Sequence, residues 1–251
     1  MNKIAVVTGG SRGLGRDMVL NLAKKGNDVI FTYNSRQEEA DQVIAEVEKL
    51  GRKAVTLQLS VDRQEDFPTF FKNLHSVLST NFGTDKVDYW VNNAGVGLPT
   101  TLSQTEEQTF DSLMNIHFKS PYFLTQEAVK VMNDGGAIVN LSSGLTRFSM
   151  AGYSVYASLK TAMETMTRYW ALELGPRKIR VNVVAPGAIA TDFGGGVVRD
   201  NEQVNAHISS LTALGRVGLP DDIGSVVAFL CSDDAKWING QRIEVSGGVN
   251  L

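Results

Sequence analysis

Cysteine is all but missing from this chain of 251 residues, which carries only Cys231. An intrachain disulfide and a cysteine-rich zinc site are therefore excluded. Because Cys231 closes the apolar run Val226 to Cys231, it reads as core packing. Histidine is scarce as well: His75, His117 and His207 lie too far apart in the sequence to suggest a metal cluster. They read as packing or surface residues, and no metal is expected. No apolar run reaches membrane-spanning length, and Ile4 to Val7 is far too short for a signal core. A cytoplasmic protein without membrane contact follows as the expectation. Neither sign of charge dominates, since 24 Lys and Arg against 27 Asp and Glu leave a net charge of -3. Without a basic field, nucleic acid is not expected as a partner, and a small molecule is. Repeats, low-complexity tracts and charge blocks are also missing, so residues 1–251 are expected to form one domain.

What the chain does have is alternation. Short β-branched or aromatic runs at Ile4 to Val7, Asp28 to Tyr33, Ala54 to Leu59, Val87 to Val91, Ala137 to Leu141, Arg180 to Val184 and Arg242 to Val245 read as seven strands. Between them, helical patterns run near 13–25, 36–50, 63–80, 106–132, 152–175 and 220–231. Strands separated by helices pair in parallel through right-handed crossovers. The fold class expected is therefore α/β: a single-domain, Rossmann-like, doubly wound sheet of seven parallel strands with helices on both faces. Ligands of such sheets sit beyond the carboxyl ends of the strands, so those ends are the places to look for chemistry.

After the first strand comes Thr8-Gly9-Gly10-Ser11-Arg12-Gly13-Leu14-Gly15, leading into a helix. This placement offers backbone N–H groups and a helix amino end to a pyrophosphate, which side chains at Gly9, Gly13 or Gly15 would obstruct. The spacing is G-x-x-x-G-x-G, not the general G-x-G-x-x-G fingerprint. The octet resembles the cofactor loop of the short-chain dehydrogenases/reductases, and Asn92-Asn93-Ala94-Gly95 after the fourth strand resembles that family's second signature. The resemblance implies that Asn92, Ala94 and Gly95 support the sheet and line the adenosine side of a nicotinamide dinucleotide.

Where an NAD-preferring protein places an acid at the end of the second strand, this chain has Tyr33-Asn34-Ser35-Arg36. Arg12 and Arg36 are both suited to a 2'-phosphate. NADP(H) is the expected cofactor, with NAD(H) left open. Ser60, followed by Val61, stands where the family often has an aspartate near the adenine.

Tyr156-Ala-Ser-Leu-Lys160 places phenol and ammonium one helical turn apart on one face. Ser143 precedes Tyr156 by thirteen residues and Asn115 precedes Ser143 by twenty-eight. These spacings match the family's serine and asparagine, so the resemblance covers nearly the whole chain. It also implies that Pro186-Gly187-Ala188-Ile189-Ala190-Thr191 holds the nicotinamide carboxamide, Ile189 by its backbone and Thr191 by its hydroxyl.

Hydride addition to a ketone builds alkoxide charge, so a phenol must be tuned to exchange that proton. Lys160 is expected to lower the Tyr156 pKa and to hold the cofactor ribose, and Ser143 to stabilise the substrate oxygen. Asn115 is implied by the resemblance to hold a water linking Lys160 to solvent. Leu145, Phe148, Met150, Tyr153, Val96, Leu98 and Phe193 offer apolar surface for a partly apolar substrate. Gly194 to Gly196 introduce a lid over roughly 192–218.

The expected activity is NAD(P)H-dependent hydride transfer between cofactor and a ketone or secondary alcohol. Two alternatives stand beside it. One is a 3-oxoacyl-[acyl-carrier-protein] reductase, with Lys130 and Arg177 as contacts for an acidic carrier. The other is a nucleotide-sensing protein without turnover. The resemblance further implies a homotetramer joined through helices 106–132 and 152–175 and the carboxyl-terminal strands, with Trp170, Trp237 and Leu251 at its contacts.

Overall fold

A computed structural model describes residues 2–251 of the chain. Seven strands, β1 (Ile4–Val7), β2 (Asp28–Tyr33), β3 (Ala54–Gln58), β4 (Val87–Asn92), β5 (Met132–Leu141), β6 (Arg180–Pro186) and β7 (Arg242–Val245), form one sheet. Their order is β3-β2-β1-β4-β5-β6-β7, and every pairing is parallel. The chain winds outward from β1 to β3, then crosses back to place β4 beside β1. That reversal opens a crevice at the carboxyl ends of β1 and β4.

Both faces of the sheet are covered, which is why its strands are apolar throughout rather than alternating. Ala5, Val7, Val29 and Phe31 pack on one side against Met18 and Leu22 of α1 (Gly13–Lys24), Val43 and Val47 of α2 (Gln37–Lys49) and Ile223 and Val227 of α9 (Pro220–Leu230). Ile4, Val6, Ile30, Trp90 and Ile138 face the other side. There they meet Phe70 and Leu74 of α3 (Phe67–Val77), Leu124 of α5 (Ser120–Val131) and Met163 and Trp170 of α6 (Ser154–Glu173). Burying each such large side chain stabilises the fold by about 1.5–3 kcal/mol.

Three details differ from the sequence reading. β5 begins at Met132, and the register slips between Val87 and Tyr89 so that residues 133–136 bulge from the ladder. Gly135, at φ +79°, permits that bulge. The helical stretch 106–132 is broken into α4 (Glu107–Met114), a wider π-type turn at Asn115–Lys119, and α5. Finally, the region after the three glycines carries two helices of its own, α7 (Val197–Asp200) and α8 (Glu202–Ser210). Cys231 is buried, as its apolar run indicated. Trp170 is also buried, tilted against Tyr122 at 5.8 Å, so it is not a surface contact.

Candidate active site

The carboxyl ends of β1, β2, β4, β5 and β6 open into one cleft of about 730 Å³. At one end, α1 starts at Gly13 with no side chain capping it and no acid in its first turn. Its N–H groups and positive dipole end are thus left for an anion. Gly15 cannot carry a side chain, because a Cβ there would lie 2.0 Å from the Gly9 carbonyl oxygen. Asn93 fixes this loop by donating from Nδ2 to the carbonyls of Thr8 (2.8 Å) and Gly9 (3.0 Å). Asn93 had no role in the sequence reading, although it sits within the Asn-Asn-Ala-Gly segment.

Of the expected cofactor residues, Gly9, Ser11, Arg12, Gly13, Leu14, Gly15, Tyr33, Asn34, Ser60, Val61, Ala94, Gly95, Tyr156, Lys160, Pro186, Gly187, Ile189 and Thr191 line this cleft. Asn92 does not. Its amide is buried among strands, accepting from Trp90 Nε1 (2.8 Å) and donating to Asn140 (2.8 Å) and Thr125 (2.9 Å). It ties β4 to β5 and α5 rather than touching a ligand. Ser35 and Arg36 also lie off the cleft wall, because the chain turns into α2 there and Arg36 pairs with Glu39 at 2.7 Å. Arg12 reaches the cleft but is bound to Asp192, in the segment after β6, at 2.9 Å. Asp62, unnoticed in the sequence, lines the cleft and accepts a hydrogen bond from Ser60 Oγ at 2.7 Å.

At the cleft's centre, α6 brings Tyr156 and Lys160 onto one face, and β5 delivers Ser143 just past its end. Lys160 Nζ lies over the Tyr156 ring, 5.6 Å from its centroid, and donates to the Leu141 carbonyl at 2.8 Å. The net shift of the Tyr156 pKa runs upward, against the downward shift expected from Lys160. Burial dominates and holds the phenol well above its ordinary value, with a hydrogen bond from Ser143 pulling it down and Tyr153 pushing it up. Burial also lowers the Lys160 pKa to about 8, which weakens it as a permanent cation. The phenol is therefore held protonated, the form that gives up a proton during carbonyl reduction.

Asn115 is not in this constellation. It borders a separate surface depression with Asp62, Glu107, Gln108, Asp111 and Ser112. Residues two apart on a helix point in nearly opposite directions, and the next inward-facing polar side chain is His117. His117 is 1% exposed, lines the cleft, and meets the Tyr156 ring edge-on at 5.0 Å. The sequence reading had set His117 aside because it looked for histidine only as a metal ligand. Among the described residues no group of three or more His, Cys, Asp or Glu is placed to hold a metal.

Beyond Tyr156 the cleft is apolar. Leu145, Phe148, Met150, Tyr153, Val96 and Phe193 line it, together with Val197, Val204, Ile208 and Leu211 from the segment carrying α7 and α8. Leu98, expected here, is outside the lining and 43% exposed. Phe193 packs 5.8 Å from the Tyr156 ring, and Gly97 leaves it room, since a Cβ there would come within 2.6 Å of Phe193.

Comparison with known proteins agrees with this geometry. A family model described as Enoyl-(Acyl carrier protein) reductase matches residues 9–250. The short-chain dehydrogenase/reductase FrzI of a Cladobotryum species is 36% identical, with 99% of this chain and 96% of that protein covered. The chain belongs to the short-chain dehydrogenase/reductase family. A hydroxynaphthalene reductase-like protein, Arp2 of Metarhizium brunneum, is 34% identical over 98% of this chain and 94% of its own length. Among solved structures, the angucycline C-6 ketoreductase LanV with bound NADP superposes with a TM-score of 0.94 at 37% identity, covering 99% of this chain and 96% of that one. The family's seven-stranded parallel sheet with helices on both sides is the sheet seen here.

Proposed function

We propose that this short-chain dehydrogenase/reductase is an NADPH-dependent ketoreductase that acts on a bulky, largely apolar ketone. The observation that carries the reading is one cleft that joins an uncapped helix amino end, the Ser143-Tyr156-Lys160 cluster and an apolar far wall. The residues fit a dinucleotide: a Cβ at Gly15 would collide with the loop, and the first-turn amides of α1 have no internal acceptor. Gly9, Ser11, Gly13, Leu14 and Gly15 would hold the pyrophosphate, and Arg12 with Asn34 would take the 2'-phosphate end. Ser60, Val61 and Asp62 would flank the adenine, and Pro186, Gly187, Ile189 and Thr191 the nicotinamide. The bound cofactor supplies a hydride to the carbonyl carbon.

Ser143 Oγ and Tyr156 Oη would converge on the substrate oxygen. Tyr156 donates its proton there, and Ser143 stabilises the developing charge. Lys160 holds a positive charge beside the phenol, favouring the phenolate formed at that moment. Relatives favour NADP(H) and a fused-ring aromatic substrate: Arp2 is hydroxynaphthalene reductase-like, and the ketoreductase LanV has also been solved with NADP and rabelomycin. The carrier-protein alternative draws less support, because Lys130 is paired with Glu127 at 2.6 Å and Arg177 with Asp134 at 2.7 Å. The sensing alternative leaves the clustered Ser143, Tyr156 and Lys160 without a purpose.

Residues 192–218 serve as a substrate lid hinged at Gly194 to Gly196. Exposed Tyr122, Phe123, Tyr169 and Leu172 on α5 and α6, with Trp237 and Leu251, favour a homotetramer, and a cytoplasmic location accompanies it. Among the described residues, no helix is long and apolar enough to cross a membrane.

The test is a panel of aromatic and aliphatic ketones assayed with NADPH and with NADH. NADPH-dependent turnover of fused-ring ketones is expected. Tyr156→Phe should keep cofactor binding while kcat falls about 10²- to 10⁴-fold. Turnover near the parent level in that variant would refute the assignment.

A further inference from the structure

The turn after Ser143 faces two ways. Leu145 and Phe148 line the cleft, whereas Arg147 between them does not. Its guanidinium crosses to a distant part of the chain, donating from Nη1 to the Asn250 carbonyl at 2.8 Å and from Nη2 to that of Val249. The planar fork of a guanidinium suits two such acceptors at once, and bonds from a charged donor are stronger than neutral ones. Glu244 of β7 stands 3.7 Å from the same guanidinium, and the Phe148 ring lies 5.7 Å from its Cζ.

The two carbonyls belong to residues 246–250, and this segment is itself cleft wall, since Val249 and Asn250 both line it. On its other edge the segment is bonded to the chain leaving α8. Asn250 N donates to the Leu211 carbonyl (3.0 Å), Ala213 N to that of Gly248 (3.2 Å) and Leu214 N to that of Gly247 (3.0 Å). The approach is close, for a Cβ at Gly248 would lie 2.9 Å from the Ala213 Cβ. Asn250 holds φ +50°, a left-handed conformation that is rare outside glycine and that asparagine tolerates better than most. Residues 246–250 thus form a strap. One edge is bonded to the end of the segment that covers the substrate cleft, and the other to the turn that follows Ser143. Among the described residues, the hydrogen bonds that join this turn to the strap are those of Arg147.

We propose that Arg147 is a positioning residue that sets substrate size in this ketoreductase. By fixing Val249 and Asn250, and through them Leu211, at a set distance from Ser143, it holds the wall against which the far part of a fused-ring ketone packs. A small ketone seated between Ser143 and Tyr156 does not reach that wall and is indifferent to Arg147. The proposal rests on the ketoreductase reading and deepens it, because it assigns the preference for bulky ketones to a side chain that lies outside the cleft.

Two substitutions test this. Arg147→Met keeps an unbranched apolar stem and deletes every donor, whereas Arg147→Lys keeps the charge but lacks the fork that spans two carbonyls. Each variant is assayed with NADPH against a fused-ring aromatic ketone and a small aliphatic ketone. In Arg147→Met, the ratio of kcat/KM for the fused-ring ketone over the small one should fall about 10- to 100-fold, mainly through a higher KM. The small ketone and the NADPH affinity, read by fluorescence titration, should stay within about twofold of the parent. Arg147→Lys should fall between the parent and Arg147→Met. Should Arg147→Met fail to fold, Arg147→Lys decides alone, with its ratio lowered at least about threefold. Hydrogen–deuterium exchange supplies a readout without turnover: the amides of Ala213, Leu214 and Asn250 should exchange faster in Arg147→Met, and those of α1 should not.

A ratio at the parent level in both variants would overturn the proposal. Equal losses of kcat with both ketones would do the same, by assigning Arg147 to the placement of Ser143 instead. Exchange unchanged across 211–214 and 246–250 would show that Arg147 does not hold the strap and would also overturn it. Failure of the ketoreductase reading looks different, since the unsubstituted protein would then reduce neither ketone and Tyr156→Phe would change nothing.

Discussion

The two ends of the cleft are built from glycine in opposite ways. At the phosphate end, Gly15 is pinned, with the Gly9 carbonyl 2.0 Å from where its Cβ would stand and Asn93 bonded to the same oxygen. At the lid, Gly195 has φ +77° and nothing within 4 Å of where its Cβ would stand. The first glycine is demanded by contact and the second by backbone conformation alone. The cofactor end is thereby fixed by contact, and the proposed lid begins where glycine meets none. The only described ion pair linking the two is Arg12 to Asp192, with Arg199 also bound to Asp192.

Substitutions sharpen this contrast in descending order of effect. Gly15→Ala forces the loop apart, at a cost of about 1–3 kcal/mol for overpacking. NADPH affinity measured by fluorescence should fall more than tenfold, with a lower melting temperature. If affinity is retained, the loop is not the pinned cradle described.

Gly195→Pro imposes φ near −65° where +77° is required. Steady-state kinetics should show a raised KM for ketone and an altered kcat, with cofactor affinity nearly unchanged and a melting temperature lowered by the forced backbone change. Unaltered kinetics would remove the hinge. Asp192→Asn frees Arg12 from an exposed pair worth about 0.2–1 kcal/mol. It should leave stability almost intact and tighten NADPH by a few-fold at low salt, an advantage that vanishes at high salt. No change with salt would mean that Arg12 does not reach the phosphate.

The sheet was legible in the sequence because burial on both faces demands near-continuous apolar runs. β1, β2 and β7 coincide with their predicted spans. Residues whose role is set by the turn they occupy, such as Gly15, were legible for the same reason. What the sequence hid depends on helix phase and on side-chain partners. The wide turn at Asn115–Lys119 decides which polar residue looks inward, so His117 took the place expected for Asn115. Asn92 and Asn93 are neighbours of one type, yet one knits strands and the other holds the glycine loop. The Tyr156 pKa followed burial, which residue spacing does not report.

The central claim is that hydride passes from a nicotinamide in this cleft to a ketone carbon beside Tyr156. NADPH deuterated at the transferred position, incubated with a fused-ring aromatic ketone, tests it by mass spectrometry of the alcohol. The expected product gains one deuterium on the carbinol carbon, in a single stereochemical sense, and Tyr156→Phe suppresses it. An alcohol without label, or labelling that persists undiminished in Tyr156→Phe, would contradict the claim.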